Sequence, residues 1–209
     1  MAIKHKSFMW NDSHDIDVDI TFPKNPGSGI KVDKSVPVFG FRDILGAIET
    51  RGIGATDPDW TQIGATSFSA YKFSLNDLCW MAYHIPHDYA PNTDVFFHTH
   101  WLADGTDANT VKWEYIYTYA KGHNQQAFNL TGTTVYSEQA SPAQYQHMVS
   151  ETAAVTISGI EPDGIIYVRI RRVANGGTDN TDGIFVLTAD VHYQSTNIAT
   201  KNRTPNFYA

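Results

Sequence analysis

His98-Thr99-His100 is the sharpest local chemical feature of this chain. Residues i and i+2 of a strand point to the same face, so both imidazoles can grip one metal ion. Asp104 follows four residues after His100, and His192 lies on a separate segment, which makes a carboxylate and a third imidazole available. A catalytic metal needs three protein ligands and an open position. Spacing alone lays out only part of such a set. A second arrangement uses the pair by itself: three chains around a threefold axis would present two nitrogens each, an octahedral set. In the third reading, His98 and His100 hydrogen-bond within an interface or on a polar sheet face. No catalytic, cofactor-binding or metal-binding residue is assigned from these alternatives.

Other residue groups are weaker signals. Asp15, Asp17 and Asp19 share one strand face, but their β-carbons recur about every 6.8 Å along the strand. One strand thus supplies at most part of a calcium shell, and a solvated acidic face explains the pattern as well. Cys79 lies between Leu78 and Trp80 and reads as a buried thiol acting as a small hydrophobe. A reactive thiol wants a histidine and an electropositive setting, and neither is nearby in sequence. Trp113, Tyr115, Tyr117 and Tyr119 form an aromatic row. Against sugars it would be a carbohydrate platform; against an opposite sheet it is core. The other face of that segment carries Lys112 and Glu114, the natural outside, which favours core. There is no phosphate-binding glycine loop, nucleophile elbow or His-Glu-x-x-His.

The elements that must position these residues are strands. Ile16, Val18, Ile20 and Phe22 alternate with Asp15, Asp17, Asp19 and Thr21. Val111–Tyr119 shows the same period of two, the apolar run Ile184–Leu187 leads into the alternating Ala189–Gln194, and Ile165–Arg171 reads as a further strand, the mark of half-buried strands. Further strands are predicted near 67–75, 78–85, 94–101, 133–138 and 153–158. Turn clusters such as Pro162-Asp163-Gly164 and Asn175-Gly176-Gly177 separate them. The pattern predicts an all-β fold, a jelly-roll β-sandwich with extended N- and C-terminal arms and one or two short helices. The helices fall at Phe41–Glu49 and at Ala140–Ser150, the latter with Ser141 as N-cap and Pro142 at the first helical position. The chain divides into an N-terminal strand and arm over 1–35, a jelly-roll body over 36–194 and a C-terminal arm over 195–209. Pro23–Pro37 reads as a long irregular crossing. The last segment is polar and ends Pro205-Asn206-Phe207-Tyr208; it is either frayed or docked on a neighbouring subunit.

The chain has 209 residues, 15 Lys+Arg, 22 Asp+Glu and a net charge of −7; 18% of residues are charged and 13% aromatic. An average soluble domain carries roughly 25% charged residues. One all-β domain of about 200–250 residues fits this length and can bury a real core, so disulfides are unnecessary. A lone cysteine could form none within the chain. The densest basic cluster, Arg169, Arg171 and Arg172, is interrupted by Ile170, too little for a surface that tracks phosphates. The expectation is therefore no nucleic acid. No apolar h-region follows the basic residues near Met1, and no run reaches the roughly 18 apolar residues of a membrane span. A soluble protein made and used without export through a signal peptide is expected.

Three resemblances follow. The His98-Thr99-His100 pair with Asp104 and His192 is similar to the small-barrel cupin pattern, but a cupin would carry Glu rather than Asp and a glycine-framed first motif. A His-x-His strand on a threefold axis resembles phage spike tips. The broader resemblance rests on Gly40-Phe41-Arg42-Asp43-Ile44-Leu45-Gly46, His84-Ile85-Pro86-His87-Asp88-Tyr89, Thr93-Asp94 and His98-Thr99-His100-Trp101. It continues through Tyr119-Ala120-Lys121-Gly122-His123-Asn124, Pro162–Arg169 and Asp190-Val191-His192-Tyr193-Gln194-Ser195. In this order, over about 36–209, these motifs resemble a family of tailed-bacteriophage virion structural proteins. The resemblance implies a capsid decoration or cement protein with a jelly-roll body, commonly a homotrimer, bound to the major capsid protein or other virion proteins. It implies no enzyme activity, no cofactor and no membrane, with assembly in the host cytoplasm. The alternative is a tail-associated or receptor-binding jelly roll using the aromatic row on host glycan. A further alternative is a cupin-like metal enzyme at His98 and His100.

Overall fold

The computed structural model describes residues 40–50, 56–141, 143–197, 200, 202–205 and 207. The predicted strand over Ile16–Phe22, the Asp15/Asp17/Asp19 face and the Pro23–Pro37 crossing lie outside these residues. Ten strands are present: β1 (Gly40–Gly46), β2 (Asp59–Gln62), β3 (Ser69–Phe73), β4 (Leu78–His84) and β5 (Val95–Ala103), then β6 (Thr110–Ala120), β7 (Thr133–Ala140), β8 (Met148–Glu151), β9 (Ile165–Val173) and β10 (Ile184–Ser195). All pairings are antiparallel.

β3 pairs with β10, β4 with β9, β5 with β8 and β6 with β7. The chain is thus one long hairpin with β6–β7 at its tip, rolled so that successive pairs alternate between two sheets. One sheet runs β2-β3-β10-β5-β8, with β1 also on β10, and the other runs β4-β9-β6-β7. This is the jelly-roll form of a β-sandwich.

Alternation fills the space between the sheets. Phe97 and Trp101 of β5, Trp113 and Tyr115 of β6 and Ile166, Val168 and Ile170 of β9 are fully buried. The aromatic row is therefore core. Trp113 packs edge-on against Phe73, and Tyr115 stacks on Phe97 at 5.6 Å. The Tyr115 hydroxyl bonds the Thr99 hydroxyl at 2.7 Å and Ser137 Oγ at 3.1 Å, and Trp101 Nε1 donates to Ser150 Oγ. Every polar atom named here has a partner, which is the condition for burial. Cys79 is wholly buried, and burial pushes its thiol up to about 12; it is inert packing.

The predicted helices are replaced by extended chain. Phe41–Glu49 enters β1, whose residues pair with β10 from Gly40↔Ser195 to Gly46↔Ala189. The open edge of β10 offers seven cross-strand partners, and tertiary pairing overrides a weak local preference. Ala140–Ser150 holds the end of β7 and the start of β8. Tyr145 has φ 60° and its N–H donates to the Ala103 carbonyl at 2.8 Å, which bends the segment onto β5. The Ser141 hydroxyl donates to the Ala143 carbonyl instead of capping a helix. The strand predicted over 153–158 is reduced to a single bridge, Val95↔Val155, and the strand lies at β8 instead. β2 had no prediction.

The His84–Tyr89 motif closes one end of the sandwich. Asp88 accepts hydrogen bonds from Tyr193 at 2.9 Å and Ser195 at 2.6 Å and pairs with Arg42 at 2.7 Å. Burial alone would raise its pKa; the Ser195 and Tyr193 hydroxyls and the Arg42 charge outweigh it and hold the carboxyl below its ordinary value. A depressed carboxylate stabilises the fold above its unfolded pKa of about 3.9 and loses that contribution as pH falls through the folded value. Asp88→Ala is expected to cost about 2–4 kcal/mol in urea denaturation at pH 7. The gap between variant and parent should narrow below about pH 4; a gap unchanged down to that range would contradict the assignment.

Candidate functional site

Four neighbouring strands, β1, β10, β5 and β8, carry a cluster of imidazoles and carboxylates on the outer face of their sheet. The register decides this. Phe97, Thr99 and Trp101 of β5 point inward, so His98 and His100 point outward. On β10, Ala189, Val191 and Tyr193 belong to the core, so Asp190 and His192 point outward. Asp190 lies opposite His98, His98 opposite Glu151, and Asp43 opposite His192. Directly opposed side chains stand about 4.5–5.5 Å apart at Cβ, within reach of one another.

The side chains meet. His98 Nε2 hydrogen-bonds the Glu151 carboxylate, and His192 Nε2 pairs with Asp43. His98 Nδ1 faces Asp190 Oδ1 at 3.5 Å, and His100 Nε2 lies 3.0 Å from Asp190 Oδ2. His100 Nδ1 meets His147 Nε2 at 2.9 Å, and the His98 and His192 rings are 3.6 Å apart between centroids. His98 is 4% exposed and Asp190 3%. Two buried atoms, His98 Nδ1 and Asp190 Oδ1, have no hydrogen-bond partner. Burial holds His192 below its ordinary pKa. Within the cluster, His98/His100/Asp190, His98/Glu151/His192 and Asp43/Asp190/His192 each bring three donor atoms within 4.8 Å of one another.

His98, His100 and His192 therefore come together as the sequence suggested, but Asp104 does not. Its carboxylate accepts from the Gly183 N–H at 2.7 Å, at the far end of β5. The carboxylate beside the histidines is Asp190. Asp190-Val191-His192 has the same i, i+2 spacing as the histidine pair, a signal that was available. Glu151, Asp43 and His147 reach the cluster only through strand register, which no local pattern announces. A metal here would sit on the outer surface of the sandwich. It would not lie between the sheets, so no closed chamber surrounds it.

Other sequence candidates are spent within the fold. Arg169 and Arg171 both pair with buried Glu114, at 3.1 and 3.0 Å. Arg172 donates to the Phe73 carbonyl at 2.7 Å and to the Asn180 carbonyl. The basic cluster thus holds strands and chain ends together. A second histidine group surrounds Asp163, a residue with φ 61°. His123 lies 2.8 Å from its carboxylate, His84 3.2 Å and His87 3.3 Å. Burial would raise the Asp163 pKa, but the His123 hydrogen bond and the neighbouring His87 and His84 outweigh it and lower it. The end of the chain rests on this group: Thr200 bonds the His87 ring at 2.7 Å, and buried Phe207 lies edge-on to His87 and His123. These C-terminal residues dock on their own chain's body.

Among the described residues, one shallow cleft of about 270 Å3 lies beside Tyr117 and Thr133, and another of about the same size beside Ile48, Trp60 and Leu187. The histidine–carboxylate cluster lines neither. No protein-family model matches the chain, and no curated protein matches it in sequence.

Phe207→Ala is expected to lower stability by about 2–4 kcal/mol in chemical denaturation, because it empties a packed site. A change under about 0.5 kcal/mol, the scale of a surface substitution, would show that the C-terminal residues do not dock in solution.

Proposed function

We propose that this chain is a structural protein of a phage virion, a decoration or cement subunit that binds the head shell and stabilises it through protein–protein contacts. One observation carries the assembly reading. Where β1 gives way to β3 along β10, large apolar side chains stand in solvent: Leu45 is 71% exposed, Trp60 64% and, on the β2–β3 hairpin, Phe68 72%. Leu187 is exposed beside Trp60 and lines the same shallow cleft. Exposed apolar groups gathered around one cleft, as Trp60 and Leu187 are, mark interaction sites, and tryptophan is enriched among the residues that dominate interfaces.

The motif series that resembles tailed-phage virion proteins supports the major capsid protein or another virion protein as the partner. A trimer on a local threefold axis suits this role, since closed cyclic symmetry satisfies every copy's interface. The burial of Trp113, Tyr115 and Tyr117 between the sheets favours the decoration reading over a sugar platform built on the aromatic row.

Electron microscopy of virions is expected to place the chain on the head shell; density at the tail overturns the decoration reading. The double variant Leu45→Ser, Trp60→Ser is expected to keep its β-sheet circular dichroism and to bind isolated head shells at least tenfold more weakly. Undiminished binding would show that this margin is not the contact.

A further inference from the structure

We infer that His98 Nδ1, His100 Nε2 and Asp190 bind one divalent transition-metal ion of the zinc type, with Glu151 and His147 orienting the two rings. The inference is independent of the virion reading. It starts from hydrogen bookkeeping on His98. A carboxylate only accepts, so the Glu151 bond puts the ring proton on His98 Nε2. In the neutral ring, Nδ1 is then a lone pair, and it faces a second acceptor, Asp190 Oδ1, at 3.5 Å. Both atoms are buried and without a hydrogen-bond partner. Two desolvated lone pairs held face to face call for a cation between them.

His100 completes the set. When its Nδ1–H donates to His147, His100 Nε2 is also a lone pair, 3.0 Å from Asp190 Oδ2. Three donors thus converge. Zinc–nitrogen and zinc–oxygen bonds of about 2.0–2.2 Å at a tetrahedral angle place neighbouring donors about 3.4 Å apart. The separations of 3.0 and 3.5 Å, each from one nitrogen to a different oxygen of the Asp190 carboxylate, lie close to that value, and one donor atom from each of the three residues lies within 4.8 Å of the other two. Each imidazole also has its other nitrogen held, by Glu151 or by His147, which is the usual support of a metal-binding histidine.

Charge agrees. Asp43, Glu151 and Asp190 gather on one patch, and among the described residues their ion-pair partners are histidines, never lysine or arginine. Two imidazoles with one carboxylate select zinc-like ions over calcium or magnesium, which prefer all-oxygen shells. The ion would join β5 to β10 and, through Glu151, engage β8, a cross-strand staple in a chain with no disulfide.

The test uses tag-free full-length protein, stripped with chelator and titrated calorimetrically with zinc chloride, and separately with calcium and magnesium chloride. Zinc is expected to bind and to raise the melting temperature, with calcium and magnesium at least 100-fold weaker. His100→Ala, at a partly exposed position, is expected to remain folded and to lose at least 100-fold in affinity. Glu151→Gln should lose about 10–100-fold, whereas His123→Ala, in the other histidine group, should leave the His100-dependent binding unchanged. Zinc binding that is absent, or undiminished in His100→Ala, overturns the proposal. Binding lost in His192→Ala but kept in His100→Ala also overturns it, by moving the ion to the neighbouring Glu151 triad.

Discussion

One extra residue in β10 sets which side chains face inward on either side of it. Val186 lies opposite Trp101 and Thr188 opposite His100, so Leu187 has no partner in the register. Before this bulge, Ile184 and Val186 point into the core; after it, Ala189, Val191 and Tyr193 do. A strand has a strict period of two, so a single inserted residue exchanges its faces. Were Leu187 paired as an ordinary strand residue instead of bulging, Asp190 and His192 would be driven between the sheets. With the bulge, they stand outside beside His98 and His100, and apolar residues fill the interior throughout. The edge partner changes at the same place, from β3 to β1.

Much else follows from that register. The inward residues of β10 and β5 meet the aromatic row of β6, and the Thr99–Tyr115–Ser137 chain of hydroxyls links the sheets. The outward residues collect charge that would be costly anywhere else in the sandwich. The end of β10 delivers Tyr193 and Ser195 to Asp88, so the His84–Tyr89 motif acts as a clasp on the fold. The exposed apolar margin around Leu45, Trp60 and Leu187 lies where the two edge partners of β10 meet.

The sequence exposed the strands more readily than their neighbours. The apolar pattern in Val111–Tyr119, Ile165–Arg171 and Ile184–Gln194 is strong because one face of each is buried, and all three are strands. The aromatic row was legible as core for the same reason. Phe41–Glu49 was not legible as a strand, since its extended form depends on an edge of β10 more than 140 residues away. Asp104 was chosen over Asp190 because proximity in sequence stood in for proximity in space. Glu151 and Asp43 carry no local sign of their place, which is set wholly by cross-strand register.

The central claim is that the register of β10, with Leu187 outside the pairing, keeps charged groups out of the core. Denaturant unfolding of a chain lacking Leu187, beside one lacking Val191 in the regularly paired part of β10, tests it directly. Removing Leu187 leaves Val186 opposite Trp101 and Thr188 opposite His100 and keeps Asp190 and His192 outside, whereas removing Val191 turns one of them inward. The account predicts that loss of Val191 removes more than about 4 kcal/mol or abolishes cooperative unfolding, while loss of Leu187 costs far less. Equal losses in the two deletions would contradict it.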